Sequence, residues 1–351
     1  MIAVARNLAL AALASVAAAL PAQLSCKHAF DWDATSHLLA FGDSYTYVQG
    51  THGHQNYSFI GDQLNFAYDR QTLLTNKIVQ NQVRSTAAPR ETATAEGGPN
   101  WVEFLTNCGV KKGLTSPLSC KRQLWDFAFA GADISVEYTP LHHNYTVSLV
   151  NQVTQYRQYG HPLLKSIIHP SCTLVAIWIG INDINDSANY AVHFPTFYNR
   201  LMTTLFASVQ TLYDLGYRSY LFMNLAPLDR TPANQARSDP SPNGTQITWF
   251  NDALAEHAQS FERAHADTTV HVFDAHTALS NMMDHPARYG IVNTTNFCAG
   301  YDQPDIETNY QAYGCPTPLD TYFWFNSGHL TSHVHKKLAE ILEAKLKAWS
   351  R

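Results

Sequence analysis

The chain reads as an α/β protein, with a central parallel sheet of about five strands between two helical layers. Three observations point there. Short apolar runs stand at 37–41, 124–129, 173–179, 218–224 and 269–273. They lack strict polar alternation, as strands covered on both faces do. Segments of helical spacing lie between them, and strand–helix alternation folds into a parallel sheet with helices on each side.

Taken in order, the first element is a processing signal. Arg6 gives a positive start, residues 8–20 are an apolar run, and small residues stand around Ala19 and Ala22. The run is short for a bilayer span, and polar sequence follows at once. Residues 1–22 are expected to be a secretory signal and 23–351 one domain. Strand 37–41 then runs into Gly42-Asp43-Ser44. A helix starts just after Pro99 with Trp101, Phe104 and Leu105 on its apolar face. Strand 124–129 ends at Ala130-Gly131-Ala132. Val147, Leu149, Val150 and Val153 mark a second helix. Strand 173–179 ends at Gly180-Ile181-Asn182-Asp183. A third helix, marked by Phe197, Leu201, Leu205, Val209 and Leu212, stops near Gly216. Strand 218–224, a helix marked by Trp249, Phe250, Leu254 and Phe261, and strand 269–273 follow. A last helix carries Val334, Leu338, Ile341, Leu342 and Leu346. Two stretches, 46–98 and 275–325, fit no simple alternation and read as long excursions that shape a binding site.

Composition narrows the function. Only 15% of residues are charged and the formal net charge is −5, which argues against a nucleic-acid binder, since that would need a basic face. Beyond residue 22 no stretch is apolar and long enough for a membrane span. Six cysteines, Cys26, Cys108, Cys120, Cys172, Cys298 and Cys315, read as disulfides in a secreted chain. The expected local pairs are Cys108 with Cys120 and Cys298 with Cys315. No Cys-x-x-Cys or His-Glu-x-x-His pattern appears, so no zinc site is expected. Asn-x-Ser/Thr sequons at Asn56, Asn144, Asn185, Asn243 and Asn293 read as glycosylation sites. A glycan on Asn185 would crowd the position of Asn182.

The chemistry sits at strand ends, where ligands of such sheets bind. Ester cleavage needs an attacking hydroxyl, a base for its proton and donors for the oxyanion. Ser44, after the first strand, supplies the hydroxyl and a backbone N–H. Gly131, after the second, offers an unobstructed N–H. Asn182, after the third, carries a donor amide. The alternative for each is an ordinary turn residue. His329, in the loop before the last helix, is the base among seventeen histidines. His333 and His335 compete locally, and His335 reads as a helix-face residue. Trp101, Trp178 and Trp324 are either sugar-stacking surfaces or packing residues.

Ser44, Gly131, Asn182 and His329, in this order, resemble the GDSL or SGNH hydrolase superfamily, named for these residue types. The resemblance covers nearly all of the mature chain. Gly42-Asp43-Ser44-Tyr45-Thr46, Gly98-Pro99-Asn100-Trp101-Val102, Ala226-Pro227-Leu228-Asp229-Arg230 and Asn326-Ser327-Gly328-His329 resemble its secreted fungal branch. That branch includes the acetylesterases of carbohydrate esterase family sixteen and lipase-like acylhydrolases. The resemblance implies a flavodoxin-like three-layer α/β/α sandwich, no metal and no organic cofactor.

One position departs from the pattern. The superfamily usually places Asp three residues before the catalytic His, and here that residue is Asn326. Its backbone carbonyl, its side-chain oxygen or a remote carboxylate are the candidates to orient His329, and a Ser–His dyad with the backbone carbonyl is the favoured one. The leading function is a secreted, monomeric serine esterase that removes short acyl groups, acetyl first, from carbohydrates. The alternatives are a lipase or phospholipase for longer acyl chains and, in another class, a non-catalytic carbohydrate-binding protein.

Overall fold

The computed structural model describes residues 30–61, 70–80 and 94–350. The expected signal segment, 1–22, and Cys26 lie outside these residues. Five parallel strands form the central sheet: β1 (His37–Gly42), β2 (Gln123–Asp126), β3 (Thr173–Trp178), β4 (Ser219–Met223) and β5 (Thr269–Phe273). Their order is β2-β1-β3-β4-β5, the flavodoxin-like arrangement, which reverses direction between β1 and β3. Every residue of β1 and β3 is buried, whereas the edge strand β5 buries only Phe273. That explains why the central strands are near-continuous apolar runs.

Helices cover both faces. One layer holds α2 (Leu149–Gln155), α4 (Phe194–Asp214) and α5 (Gly244–Ala264), which pack on one another. The other holds α1 (Trp101–Thr106), α6 (Ala275–Asp284) and α7 (Ser332–Trp349). A short helix, α3 (Ile181–Ser187), follows β3 at once. Local signals set the ends. Asn100 caps α1 by accepting from Val102 N–H, and the Glu103 carboxylate accepts from Asn100 N–H. Asn243 and Gln246 build the same box on α5, worth about 1 kcal/mol for the capping residue.

Two expectations need correction. The stretch 275–325 is not irregular throughout. It opens with α6, whose Ala275, Leu279, Met282 and Met283 are buried at spacings of four, seven and eight, a helical face readable in the sequence. The stretch 46–98 holds a helix, Arg70–Thr75, and a strand, Ile78–Gln80, paired antiparallel with Gly113–Thr115. Trp249 is a marker of α5 but is 38% exposed, so it lies off the buried face. The expected pairs Cys108–Cys120 and Cys298–Cys315 are both disulfides, and Cys172 is disulfide-bonded as well. Each short clip contributes about 3 kcal/mol in the chain-entropy account.

Candidate active site

Three turns leave the carboxyl edge of the sheet side by side. Gly42, at the end of β1, stands opposite Trp178 at the end of β3, and β2 pairs on the other flank of β1. Gly42 must be glycine. Its φ is +155°, and a Cβ there would meet the Trp178 carbonyl oxygen at 2.2 Å. Gln152 of α2 holds the same peptide: Gly42 N–H donates to Gln152 Oε1 (3.1 Å), and Gln152 Nε2–H donates to the Gly42 carbonyl (2.8 Å). Beyond it the Asp43 carboxylate accepts from Tyr45 N–H, and the Asp43 carbonyl accepts from Thr46 and Tyr47 N–H. This tight turn delivers Ser44, which is 8% exposed, and leaves its N–H without a partner among the described residues.

The second turn carries Gly131 with φ +76°, a conformation that favours glycine. The third carries Asn182 in the first turn of α3, after Gly180 with φ +116°. The two turns are tied together. Asn182 Nδ2–H donates to the Ala132 carbonyl at 2.8 Å, and Ile134 N–H donates to both Asp183 carboxylate oxygens at 3.0 and 3.1 Å. One amide hydrogen of Asn182 is thereby engaged, and the second remains for a ligand.

His329 arrives from the loop that enters α7. Phe325 N–H donates to the His329 carbonyl (2.7 Å), and Thr331, whose hydroxyl accepts from Val334 N–H, starts the helix. Tyr45 braces the loop by donating its hydroxyl to the Gly328 carbonyl at 2.5 Å. The His329 Nε2 stands 2.9 Å from Ser44 Oγ, although 285 positions separate the two residues. On the other side of the ring, Nδ1 lies 3.0 Å from Asn326 Oδ1. The side-chain oxygen thus occupies the orienting position, not the backbone carbonyl favoured from sequence. The same oxygen accepts from Gly328 N–H (3.0 Å) and His329 N–H (2.9 Å). Backbone amides only donate, so they fix which end of the Asn326 amide is oxygen. His329 Nδ1 must then carry the hydrogen, and Nε2 offers its lone pair to the serine hydroxyl. Burial pushes this imidazole down to about 4, so Nε2 is free to accept across the neutral range.

The other candidates fall elsewhere. His333 Nε2–H donates to the Tyr289 carbonyl (2.6 Å). His335 faces the core, is fully buried and lies 3.6 Å from the buried Glu96. Trp101, Trp178 and Trp324 are fully buried, which corrects the sugar-stacking reading. Each indole N–H has an internal acceptor: Thr46 Oγ1, the Asn224 carbonyl and the Thr294 carbonyl. A cavity of about 590 Å³ near Gly97, Phe104 and Lys336 includes none of the four motif residues. Asn56, Asn144, Asn185 and Asn243 are exposed, and Asn293 is half-buried. Sequence reading missed Gln152, Tyr45 and Asp183 as supports. Only Asp183 carried a signal, by its place beside Asn182.

Comparisons with known proteins place the chain in a family. The profile of the GDSL-like lipase/acylhydrolase family matches residues 38–342. The chain belongs to that family. It is a carboxylic ester hydrolase of the GDSL type. It is similar to an acetylesterase of Thermothelomyces thermophilus, at 24% identity over 70% of this chain and 74% of that one. It is also similar to an acetylesterase of Hypocrea jecorina, at 22% identity over 74% and 80%. A solved carbohydrate acetylesterase from Sinorhizobium meliloti superposes with a TM-score of 0.43 at 11% identity, covering 89% of this chain and 98% of its own. No helix among the described residues is long and apolar enough to cross a membrane.

Proposed function

We propose that this GDSL hydrolase is a secreted serine esterase that removes acetyl groups from carbohydrates. One observation carries the catalytic assignment: Ser44 Oγ, His329 and the Asn326 oxygen form a continuous hydrogen-bonded chain. Ser44 attacks the ester carbonyl while His329 Nε2 takes its proton. The Ser44 and Gly131 N–H groups and the free Asn182 amide hydrogen stabilise the oxyanion. His329 then gives the proton to the departing sugar hydroxyl, which leaves as alcohol. Water, deprotonated by the same imidazole, attacks the acyl-serine and releases the acid and Ser44.

The substrate reading is supported by the low charge of the chain and by the two fungal acetylesterase relatives. Secretion is supported by the disulfides Cys108–Cys120 and Cys298–Cys315, by the disulfide-bonded Cys172 and by four exposed sequon asparagines. Hydrolysis rates measured on a series from acetate to palmitate esters test the acyl preference. A steep fall after butyrate is expected, and rates that climb toward palmitate would favour a lipase. Ser44→Ala is the control, and it should lower kcat/KM at least about a thousandfold. A variant that keeps most of the parent rate overturns the nucleophile.

A further inference from the structure

A second polar cluster lies between the two turns that carry Gly131 and Asn182. Asp133 stands two residues past Gly131, and Asp186 stands one helical turn past Asn182 on α3. His142 comes from the loop beyond, close enough to Gly131 that a Cβ on that glycine would meet its side chain at 3.3 Å. One ligand atom from each of Asp133, His142 and Asp186 lies within 4.8 Å of the others. His142 Nε2 is 2.8 Å from Asp186 Oδ2.

Asp133 sets this cluster apart from ordinary surface acids. It is 1% exposed, yet neither carboxylate oxygen has a hydrogen-bond partner among the described residues. The Thr139 hydroxyl beside it favours the ionised carboxyl, but it makes no hydrogen bond of good geometry. Leaving such a group bare costs about 1–3 kcal/mol, and more for a charge. Asp183 and Asp186 repel its charge, and only His142 and the Thr139 hydroxyl act against them. Asp183 is already occupied by Ile134 N–H.

We propose that Asp133, His142 and Asp186 hold a divalent cation of the zinc or manganese class. Two carboxylate oxygens and one imidazole nitrogen form a borderline donor set, which suits those ions better than calcium with its all-oxygen shell. Ligands at zinc bond lengths of about 2.0–2.1 Å stand about 3.4 Å apart in a tetrahedron. An ion there would open the 2.8 Å His142–Asp186 contact and hold the three ligand atoms, which already lie within 4.8 Å of one another, at that spacing. The cation would pin the 131–142 segment to α3. If the esterase reading holds, that also fixes Gly131 and Asn182 relative to each other.

The test reads binding and unfolding, so it does not depend on the esterase reading. The full chain is freed of metal with a chelator and titrated near pH 7 with zinc, manganese or calcium chloride, by calorimetry and by thermal unfolding. One zinc or manganese ion per chain is expected, with the unfolding midpoint raised by about 4 °C or more at a hundredfold excess over Kd. His142→Ala and Asp133→Asn should each weaken binding at least tenfold, since changes outside the ligand shell alone weaken it about 10–100-fold. His142 is exposed, so that variant decides the matter even where Asp133→Asn does not fold. No bound ion at millimolar metal overturns the site. So does binding by the variants equal to that of the parent, as scattered surface histidines would give. A calcium response equal to that of zinc overturns the donor-set argument.

Discussion

Replacing Asn326 by Asp tests the electrostatics of His329, the proposed base. Asn326 Oδ1 lies 3.0 Å from His329 Nδ1, so the exchange sets a carboxylate against the ring with little change of shape. At about 4 Å between charge centres and an effective dielectric constant near 20, the attraction to an imidazolium is about 4 kcal/mol. That corresponds to about 3 pKa units. Holding a carboxylate in a half-buried loop takes some of this back. The Gly328 and His329 N–H groups already aim at that oxygen, so the Asp would stay ionised. A rise of about 1–3 units is therefore expected.

The sign follows from the role of the ring. His329 must be neutral to accept the serine proton, so activity is lost as pH falls through its pKa. In the parent, burial places that pKa at about 4. The acid limb of kcat/KM on a chromogenic acetate ester should therefore stand near pH 4, and in Asn326→Asp at about pH 5–7. On the plateau the variant should be faster by about tenfold for each 1.4 kcal/mol of imidazolium stabilisation retained in the transition state. An acid limb that does not move, in a folded and active variant, would refute the assignment of His329 as the base oriented by Asn326.

Two further outcomes are expected. Asn182→Ala should lower kcat about 100- to 1000-fold with little change in KM, because the amide bonds the oxyanion and not the ground state. Steady-state kinetics on the acetate ester check this, and an unchanged kcat would remove Asn182 from the oxyanion site. The second concerns stability against pH. Burial pushes Asp43 up to about 7 and Glu103 up to about 8, and it raises Glu96 and Asp126 well above the usual range. A folded pKa raised above the unfolded value gives stability that is complete below the unfolded pKa and lost as pH rises through the folded one. His37, His329 and His335 are lowered to about 4, 4 and 3 by burial. Their contribution is present above the unfolded histidine pKa and lost as pH falls through the folded values. From about pH 6.5 upward these carboxyl groups and His142, whose pKa is raised by its bond to Asp186, lose stability together, so Tm measured by calorimetry should be lower at pH 8.5 than at pH 6.5. A Tm that rises over that interval would contradict the burial of these acids.

The legible parts of the chain were those with a period or a fixed position. The central strands stood out because burial on both faces leaves mostly apolar residues in β1 and β3, with His37 and Thr173 at their starts. Long helices such as α4 and α5 declared themselves by their buried stripes. Ser44, Gly131 and Asn182 were readable because each stands within five residues of the carboxyl end of a strand. Helix α6 was missed because its polar neighbours, Asn281 and Asp284 among them, masked a short buried face. The role of Asn326 was misjudged for a different reason. Whether its carbonyl or its side chain meets the imidazole depends on the loop 325–330, closed by the Phe325 N–H bond to the His329 carbonyl, and sequence spacing does not determine that geometry. Gln152 was invisible because its partner, Gly42, lies 110 residues away.

An amide at 326 is an exchange rather than a loss. It gives up carboxylate stabilisation of the imidazolium, but it leaves His329 a free base down to about pH 4. Suppose Asp raises the imidazole by about two units and the plateau rate by about tenfold. Each pH unit below the raised pKa then costs the Asp variant about tenfold in rate, while the parent still stands on its plateau. The two rates cross at about pH 5, with the Asp form ahead above and the Asn form ahead below. The native residue is thus the better choice in acid surroundings. Rates of both proteins on one acetate ester between pH 4 and 8 decide the point. Inversion of their ratio supports the exchange, and a ratio that stays constant across the range would show that residue 326 acts on the rate by some route other than the charge state of His329.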